Sequence, residues 1–325
     1  MKKIVGLGNA LTDVLTVLKS DDLLAELSLP KGSMQLVGRE VSESISANIE
    51  EGNRYLVTGG SASNTITGLA RLGVPVGFVG KVGSDEIGDF FISDTEKNGI
   101  KPMLIRSQIP SGICVSLVSP DGERTMATYL GAACEMRAED LKAEMFSGYD
   151  YCHIEGYLVQ SHELIEQAMR LAKQAGAKIS LDLASYNVVE ENLDFLQRIA
   201  KEYVDVIFAN EEEAKAFTGV EATEAVHKIA EICEIAVVKL GAKGALVKKD
   251  GVCVEVASLP GVKCVDTTGA GDLFASGFLY GLVTGRTMEE CGKIGSVVGG
   301  NVVQVVGPKM DNERWNSIRR KIDEI

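Results

Sequence analysis

The chain has 325 residues, 45% hydrophobic and 24% charged, enough to bury a large core as one big domain or as a domain with a small appendage. Its 33 basic and 46 acidic residues give a net charge of -13, which argues against nucleic acid or an anionic membrane as partner; a phosphate must be held locally, by backbone N-H groups and metal. Seven cysteines (Cys114, Cys134, Cys152, Cys233, Cys253, Cys264 and Cys291) are odd in number, far apart and form no C-x-x-C pair, so reduced, buried thiols are expected, without a disulfide frame or a zinc site.

From the N-terminus, Met1-Lys2-Lys3 followed by Ile4 to Leu18 superficially resembles a secretion signal, but Asn9 and Asp13 interrupt it and no small-residue cleavage site follows. No run of eighteen apolar residues occurs elsewhere, so a cytoplasmic chain is expected. Short apolar runs at Ile4 to Gly8, Val76 to Val79, Tyr151 to Ile154, Lys178 to Asp182, Val204 to Ala209 and Ile235 to Leu240 read as strands. Between them, Asn64 to Leu72, Ser161 to Ala175, Leu193 to Tyr203, Glu211 to Thr218 and Ala222 to Cys233 have helical spacing. This alternation predicts an α/β fold with a parallel sheet covered on both faces and ligands beyond the C-terminal strand ends. Two stretches break the rhythm, roughly 14–57 and 103–130. In the second, Ile113 to Val118 and Thr125 to Tyr129 read as hairpin strands around Pro120-Asp121-Gly122. We read both as insertions that build one small β-rich lid on a single domain spanning 1–325, with the lid crossings as candidate hinges.

Gly6-Leu7-Gly8-Asn9-Ala10-Leu11 nearly matches the dinucleotide fingerprint, but the third glycine is missing and Glu26 is the nearest acid, in lid-like sequence; a nicotinamide enzyme is disfavoured. Asp13 is either a surface-turn acid or a carboxylate placed to accept two hydrogen bonds from a vicinal diol. Gly59-Gly60-Ser61-Ala62-Ser63-Asn64 opens the next helix, either as a plain glycine-rich turn or as a close backbone approach with Asn64 as donor and acceptor. Gly80-Lys81 is no P-loop, because Pro75 stands at the required first glycine and Val82 replaces Ser or Thr. Toward the C-terminus, Lys263 to Val265 is expected to end a strand. Asp266-Thr267-Thr268-Gly269-Ala270-Gly271-Asp272 then packs a small-residue turn between two acids, ahead of Leu273, Phe274, Phe278, Leu279 and Leu282 at helical spacing. A helix start there offers unpaired N-H groups and a positive dipole end to a phosphoryl oxygen, with Asp272 in reach as general base; plain helix capping by the two acids leaves the two glycines and paired threonines unexplained.

That heptad resembles the C-terminal signature of the ribokinase, or pfkB, family of carbohydrate and nucleoside kinases. The segments Gly59 to Thr65 and Phe78 to Gly88 are similar to its N-terminal signature, in matching order and spacing. The resemblance implies a ribokinase-like three-layer α/β/α fold with a central, mostly parallel sheet and a small β-rich lid. It implies that Asn9, Asp13, Gly59, Gly60 and Asn64 hold substrate hydroxyls, that Asp272 is the base, and that the N-H groups of Gly269, Ala270 and Gly271 hold the moving phosphoryl group. Asn210-Glu211-Glu212-Glu213 resembles the family's N-x-x-E motif, implying that Asn210 and Glu213 organise Mg2+ through water, although acids at a helix start also serve as dipole-matched capping. Lys239-Leu240-Gly241-Ala242-Lys243-Gly244 is similar to the nucleotide loop and could equally be a hairpin turn; Gly299-Gly300-Asn301 would flank the adenine. Backbone oxygens near Asp266, Thr268, Val302, Val305 and Gly307 are implied to bind a monovalent cation, K+ as activator.

The implied activity is transfer of the γ-phosphoryl of MgATP to a primary hydroxyl. Gly8 to Asp13 resembles the adenosine-kinase version of the first motif, and the long first insertion fits nucleoside-type members, with Leu11, Met34, Leu36, Cys114 and Tyr157 as an apolar slot or simply lid core. The tail Val305-Val306-Gly307-Pro308-Lys309 departs from eukaryotic adenosine kinases. Adenosine is therefore the expected acceptor, with ribose, fructose or 2-keto-3-deoxygluconate as alternatives, and a non-catalytic nucleoside or sugar binder would share Asp13 and Asn64. His153, His162 and His227 share no metal spacing. A monomer or a homodimer paired through an exposed lid edge is expected.

Overall fold

The computed structural model describes residues 1–48, 55–120 and 124–325. Its N-terminal part runs β1 (Ile4–Leu7), β2 (Leu11–Val17), α1 (Asp22–Glu26), β3 (Met34–Leu36), α2 (Arg39–Asn48), β4 (Tyr55–Gly59), α3 (Ser61–Arg71), β5 (Val76–Gly83), α4 (Glu86–Lys97), β6 (Ile100–Ser107), β7 (Gly112–Val118) and β8 (Arg124–Tyr129). Strands and helices then alternate through β9 (Tyr151–Glu155), α5 (His162–Gln174), β10 (Lys178–Asp182), α6 (Tyr186–Glu191), α7 (Leu193–Tyr203), β11 (Val206–Asn210), α8 (Glu211–Thr218), α9 (Ala222–Ile229) and β12 (Ile235–Lys239). A hairpin, β13 (Ala245–Lys249) and β14 (Val252–Val256), precedes α10 (Ala270–Thr284), α11 (Met288–Val302) and α12 (Asn312–Asp323).

Nine strands form one sheet in the order β14-β13-β12-β11-β10-β9-β1-β5-β6, parallel from β12 to β6 and antiparallel at one edge, where β13 pairs with β12 and β14. Because successive side chains point to opposite faces, Val5 and Leu7 join one core with Leu164 and Ile165 of α5, Leu196 of α7 and Phe217 of α8. Ile4, Phe78 and Phe208 face the other, with Ile66 and Leu69 of α3 and Phe278 and Leu279 of α10. This is the expected three-layer arrangement, and it explains why these strands read as continuous apolar runs. Phe208 and Phe278 meet edge to face at 5.4 Å in the second core; truncating either to alanine costs about 3–5 kcal/mol.

The second sheet has the order β3-β8-β7-β2-β4. One face is sealed by a separate core: Val14, Val115, Leu117 and Ala127 from the strands against Leu24 of α1, Leu29 after it and Ile45 of α2. The other face carries the odd-numbered residues of β2, and the register sets Asp13 opposite Cys114 and Val57. Several expectations need correction. Met103 to Ser107 belongs to β6 of the large sheet rather than to the second insertion, because it pairs in parallel with β5. Lys263 to Val265 forms no strand; Val265 N-H and Asp266 N-H instead donate to the Val303 carbonyl. The α9 helix stops at Ile229, short of Cys233. Asp121 and Gly122, expected at a hairpin tip, lie outside the described residues. Cys152, Cys233 and Cys291 are buried free thiols, whereas Cys134, Cys253 and Cys264 are exposed. Among the described residues, no helix is long and apolar enough to cross a membrane.

Candidate active site

Four neighbouring parallel strands, buried and largely apolar, each end in a polar residue: Glu155 on β9, Asp182 on β10, Asn210 on β11 and Lys239 on β12. Three of these ends, those of Asp182, Asn210 and Lys239, line a cleft of about 960 Å3 with the Gly241 and Gly244 turn, Tyr157, Gly299 and Gly300 of α11, and Ala270, Gly271 and Asp272 of α10. Lys239 Nζ donates to Asp182 Oδ2 at 2.8 Å, and Asp182 Oδ1 accepts from Ala184 N-H at 3.0 Å, so the lysine is held from below. Burial would depress the Lys239 pKa, but Asp182 and Glu213 outweigh it and hold it at about 12. Asn210 and Glu213 form a capping box: Asn210 N-H and Nδ2 donate to the two Glu213 carboxylate oxygens at 2.8 and 2.6 Å, and Glu213 N-H donates to Asn210 Oδ1 at 2.8 Å. Burial pushes Glu213 up to about 7 against the pull of Lys239.

The turn at the start of α10 owes its path to two glycines. Gly269 has φ +76°, and a side chain there would meet Pro308 at 2.7 Å; a side chain on Gly271 would stand 3.1 Å from Lys239 Nζ. Gly271 lies in the first helical turn, where backbone N-H groups have no acceptor within the helix, and it lines the cleft beside the Lys239 ammonium. Ala270 differs from expectation: its N-H donates to the Thr267 carbonyl at 3.1 Å. Asp272 is pinned on both oxygens, Oδ1 by Ser61 Oγ at 2.7 Å and Oδ2 by Asn64 Nδ2 at 3.0 Å. Burial nevertheless raises its pKa, opposed by those two bonds. Among the described residues, Asn64 Oδ1 is buried without a partner, an atom that a hydroxyl donor would satisfy.

Asn9, Asp13, Gly59, Gly60 and Asn64 do not line the cleft; they gather behind Ser61 and Asp272, on the side of the small sheet. Gly60 has φ +90°, and a side chain there would strike the Asn9 carbonyl at 2.2 Å, while one on Gly59 would strike the Asp13 carboxylate at 2.5 Å. Glu155, absent from the expected set, organises this corner. It accepts from Asn9 N-H at 2.8 Å, Asn9 Nδ2 at 2.6 Å and Ala62 N-H at 3.0 Å. Burial raises it to about 7 against those bonds.

Asp266 joins the two segments expected to surround a monovalent cation. Its Oδ1 accepts from Thr268 N-H and Oγ1, and its Oδ2 from Gly307 N-H at 2.6 Å. The Val302 carbonyl accepts from Val305 N-H at 3.1 Å. Asn301 is buried, its Nδ2 donates to the Val297 carbonyl at 2.7 Å, and it is not among the residues that line the cleft with Gly299 and Gly300. Lys81 likewise serves structure, paired to Asp140 at 2.8 Å. Tyr157 lines the cleft with its hydroxyl 3.4 Å from the Ala184 carbonyl, rather than joining Leu11, Leu36 and Cys114 on the small sheet. Met34 pairs with Met126, and its side chain lies outside what is described.

The donor set fits Mg2+ through water. Each Glu213 oxygen accepts one hydrogen bond from Asn210 and keeps a lone pair that can accept from a metal-bound water, so the site can hold the hydrated ion without giving up the cap. Among the described residues, no group of three His, Cys, Asp or Glu side chains is placed to bind a metal by itself.

This arrangement of a pinned carboxylate, a helix-start anion turn and a lysine at a parallel strand end is that of a phosphotransferase. A family model for pfkB family carbohydrate kinases matches residues 33–315. The adenosine kinase of Saccharomyces cerevisiae is 29% identical over 334 residues, covering 96% of this chain and 97% of its own. Among solved structures, a probable sugar kinase from Rhizobium etli CFN 42 is 32% identical with a TM-score of 0.87, covering 98% of each chain. An adenosine kinase from Sinorhizobium meliloti is 31% identical with a TM-score of 0.86, covering 98% of this chain and 99% of its own. The chain belongs to the pfkB family of carbohydrate kinases. It is a kinase that uses ATP and Mg2+ and acts on a small nucleoside or sugar.

Proposed function

We propose that the chain transfers the γ-phosphoryl group of MgATP to the primary hydroxyl of adenosine, giving AMP. The observation that carries the hydroxyl-acceptor reading is the Asp272 corner, where Asn64 holds the carboxylate and keeps a buried, unpartnered oxygen beside it. Asp272 takes the hydroxyl proton as the hydroxyl oxygen bonds to the γ-phosphorus; the bond from that phosphorus to the bridging oxygen breaks, and ADP leaves. Burial makes Asp272 a stronger base, and the Ser61 and Asn64 bonds aim it. Gly271 N-H and Lys239 Nζ stand where the charge of the moving group gathers. Mg2+, when bound, offsets the triphosphate charge, with Asn210 and Glu213 holding its waters. K+ is proposed as an activator at the junction that Asp266 makes between Thr268 and Gly307.

Adenosine as acceptor is supported by relatives of that activity along nearly the whole chain. It is also supported by the sheet register, which places Leu11, Leu36 and Cys114 on the face that carries Asp13. A sugar acceptor is the second reading, favoured by a probable sugar kinase of equal likeness. ADP release with MgATP and K+ separates them, using adenosine, ribose, fructose and 2-keto-3-deoxygluconate. Turnover of adenosine alone is the expected result, turnover of a sugar alone replaces the acceptor, and no ADP with any of a broad panel removes the reading.

A further inference from the structure

We propose that Lys309 is a positioning residue for the acceptor, tying the segment that braces the anion turn to the strand that carries the acceptor loop. This rests on the kinase reading above. Gly307 N-H is clamped to Asp266, and Pro308 fills the space that Gly269 leaves open, so 307–308 lie against the anion turn. The next residue reaches across the molecule: Lys309 Nζ donates to Thr58 Oγ1 at 2.9 Å, and Thr58 Oγ1 donates to Asp94 Oδ2 at 2.7 Å on α4. Thr58 is followed at once by Gly59 and Gly60, against Asp13 and Asn9. One lysine thus connects the anion turn, the small sheet and α4.

Among the described residues, Lys309 makes no ion pair within 4.0 Å; its charge is shared at longer range by Asp94 on α4, Asp13 on β2 and Asp272 on α10. These three are the charged groups that face it. The tie is carried by the Lys309–Thr58–Asp94 hydrogen bonds, and the ammonium adds a longer-range pull on the acids of the acceptor side.

The test is steady-state kinetics of wild type, Lys309→Met, Lys309→Arg and Thr58→Val at one near-neutral pH, with MgATP and whichever of adenosine, ribose, fructose or 2-keto-3-deoxygluconate the wild type phosphorylates. Lys309→Met should raise the acceptor KM about tenfold and leave the MgATP KM within about twofold, the signature of a lost acceptor interaction. Lys309→Arg, which keeps a charged donor, should keep much of the acceptor affinity. Thr58→Val should raise the acceptor KM in the same direction, and it serves if Lys309→Met does not fold. An unchanged acceptor KM in folded Lys309→Met overturns the proposal. If the wild type phosphorylates none of these, the acceptor panel has failed, and amide hydrogen exchange decides the tie. Lys309→Met should then loosen both 56–59 and 303–309, and loosening confined to 303–309 refutes it.

Discussion

The two sheets carry polar residues in opposite ways. In the large sheet both faces are covered by helices; mid-strand His153 and Ser180 are buried against each other at 3.0 Å, and the polar groups that meet the cleft, Asp182, Asn210 and Lys239, stand with Glu155 where strands run out. In the small sheet one face is sealed by α1 and α2 while the other is open, so Asp13 sits mid-strand, between buried Thr12 and Val14 that point the other way. Chemistry in a doubly covered sheet is confined to an edge line; in a half-covered sheet it can spread over a face. The first suits a rigid floor for a charged donor, and the second a surface that can be recut for different acceptors.

The strongest way to break this division is at Asp272, where the two sides meet. Asp272→Asn should keep the Ser61 contact and lower kcat about 10^3-fold, with nucleotide affinity nearly unchanged; retained turnover would end its assignment as base. A matched pair sharpens the division further. Lys239→Met should raise the MgATP KM or lower kcat by about 10^2 and spare acceptor affinity, whereas Asp13→Ala should do the reverse. If both variants moved the same substrate's constant, floor and face would not be separate.

Glu155 offers a subtler test, because it belongs to the floor but braces the acceptor corner. Its folded pKa of about 7 lies above the ordinary 4.5, so between those values the folded state binds more protons and this group's contribution to stability falls as pH rises. Glu155→Gln should flatten that part of the Tm against pH curve; an unaltered slope would place the titration elsewhere. The smallest effect is expected at Leu36, 67% exposed on the open face. Leu36→Ser should change stability by less than about 0.5 kcal/mol, yet weaken adenosine more than ribose if the face receives a base.

Much of the floor was legible because parallel strands announce themselves as apolar runs, and Asn210, Lys239 and Asp272 stand in recognisable motifs beside them. Glu155 and Asp182 were not assigned, although each closes a strand that the spacing had located: an acid after an apolar run reads as the first turn residue, and only the register of β9 against β10 sets the two side by side. Asn301 shows the reverse limit. It follows two glycines that line the cleft, but α11 rotates about 100° per residue, and that turn carries its side chain into the protein. Met103 to Ser107 was misplaced because a half-buried strand has the same alternation in either sheet. Lys309 registered only as a departure in the tail, since its partner Thr58 is 251 residues away.

The cleft's lining has a consequence for how the donor arrives. Five carboxylates, of Asp182, Glu211, Glu212, Glu213 and Asp272, line the cleft against Lys239, its single basic lining side chain among the described residues, in a chain of net charge -13. An incoming nucleotide, still anionic with its metal, is repelled at long range and attracted only at the last few ångströms. Encounter should thus be slow in dilute buffer and quicken as added salt shortens the reach of the repulsion to about 10 Å at 0.1 M, the opposite of the electrostatic steering by which many enzymes gather charged substrates.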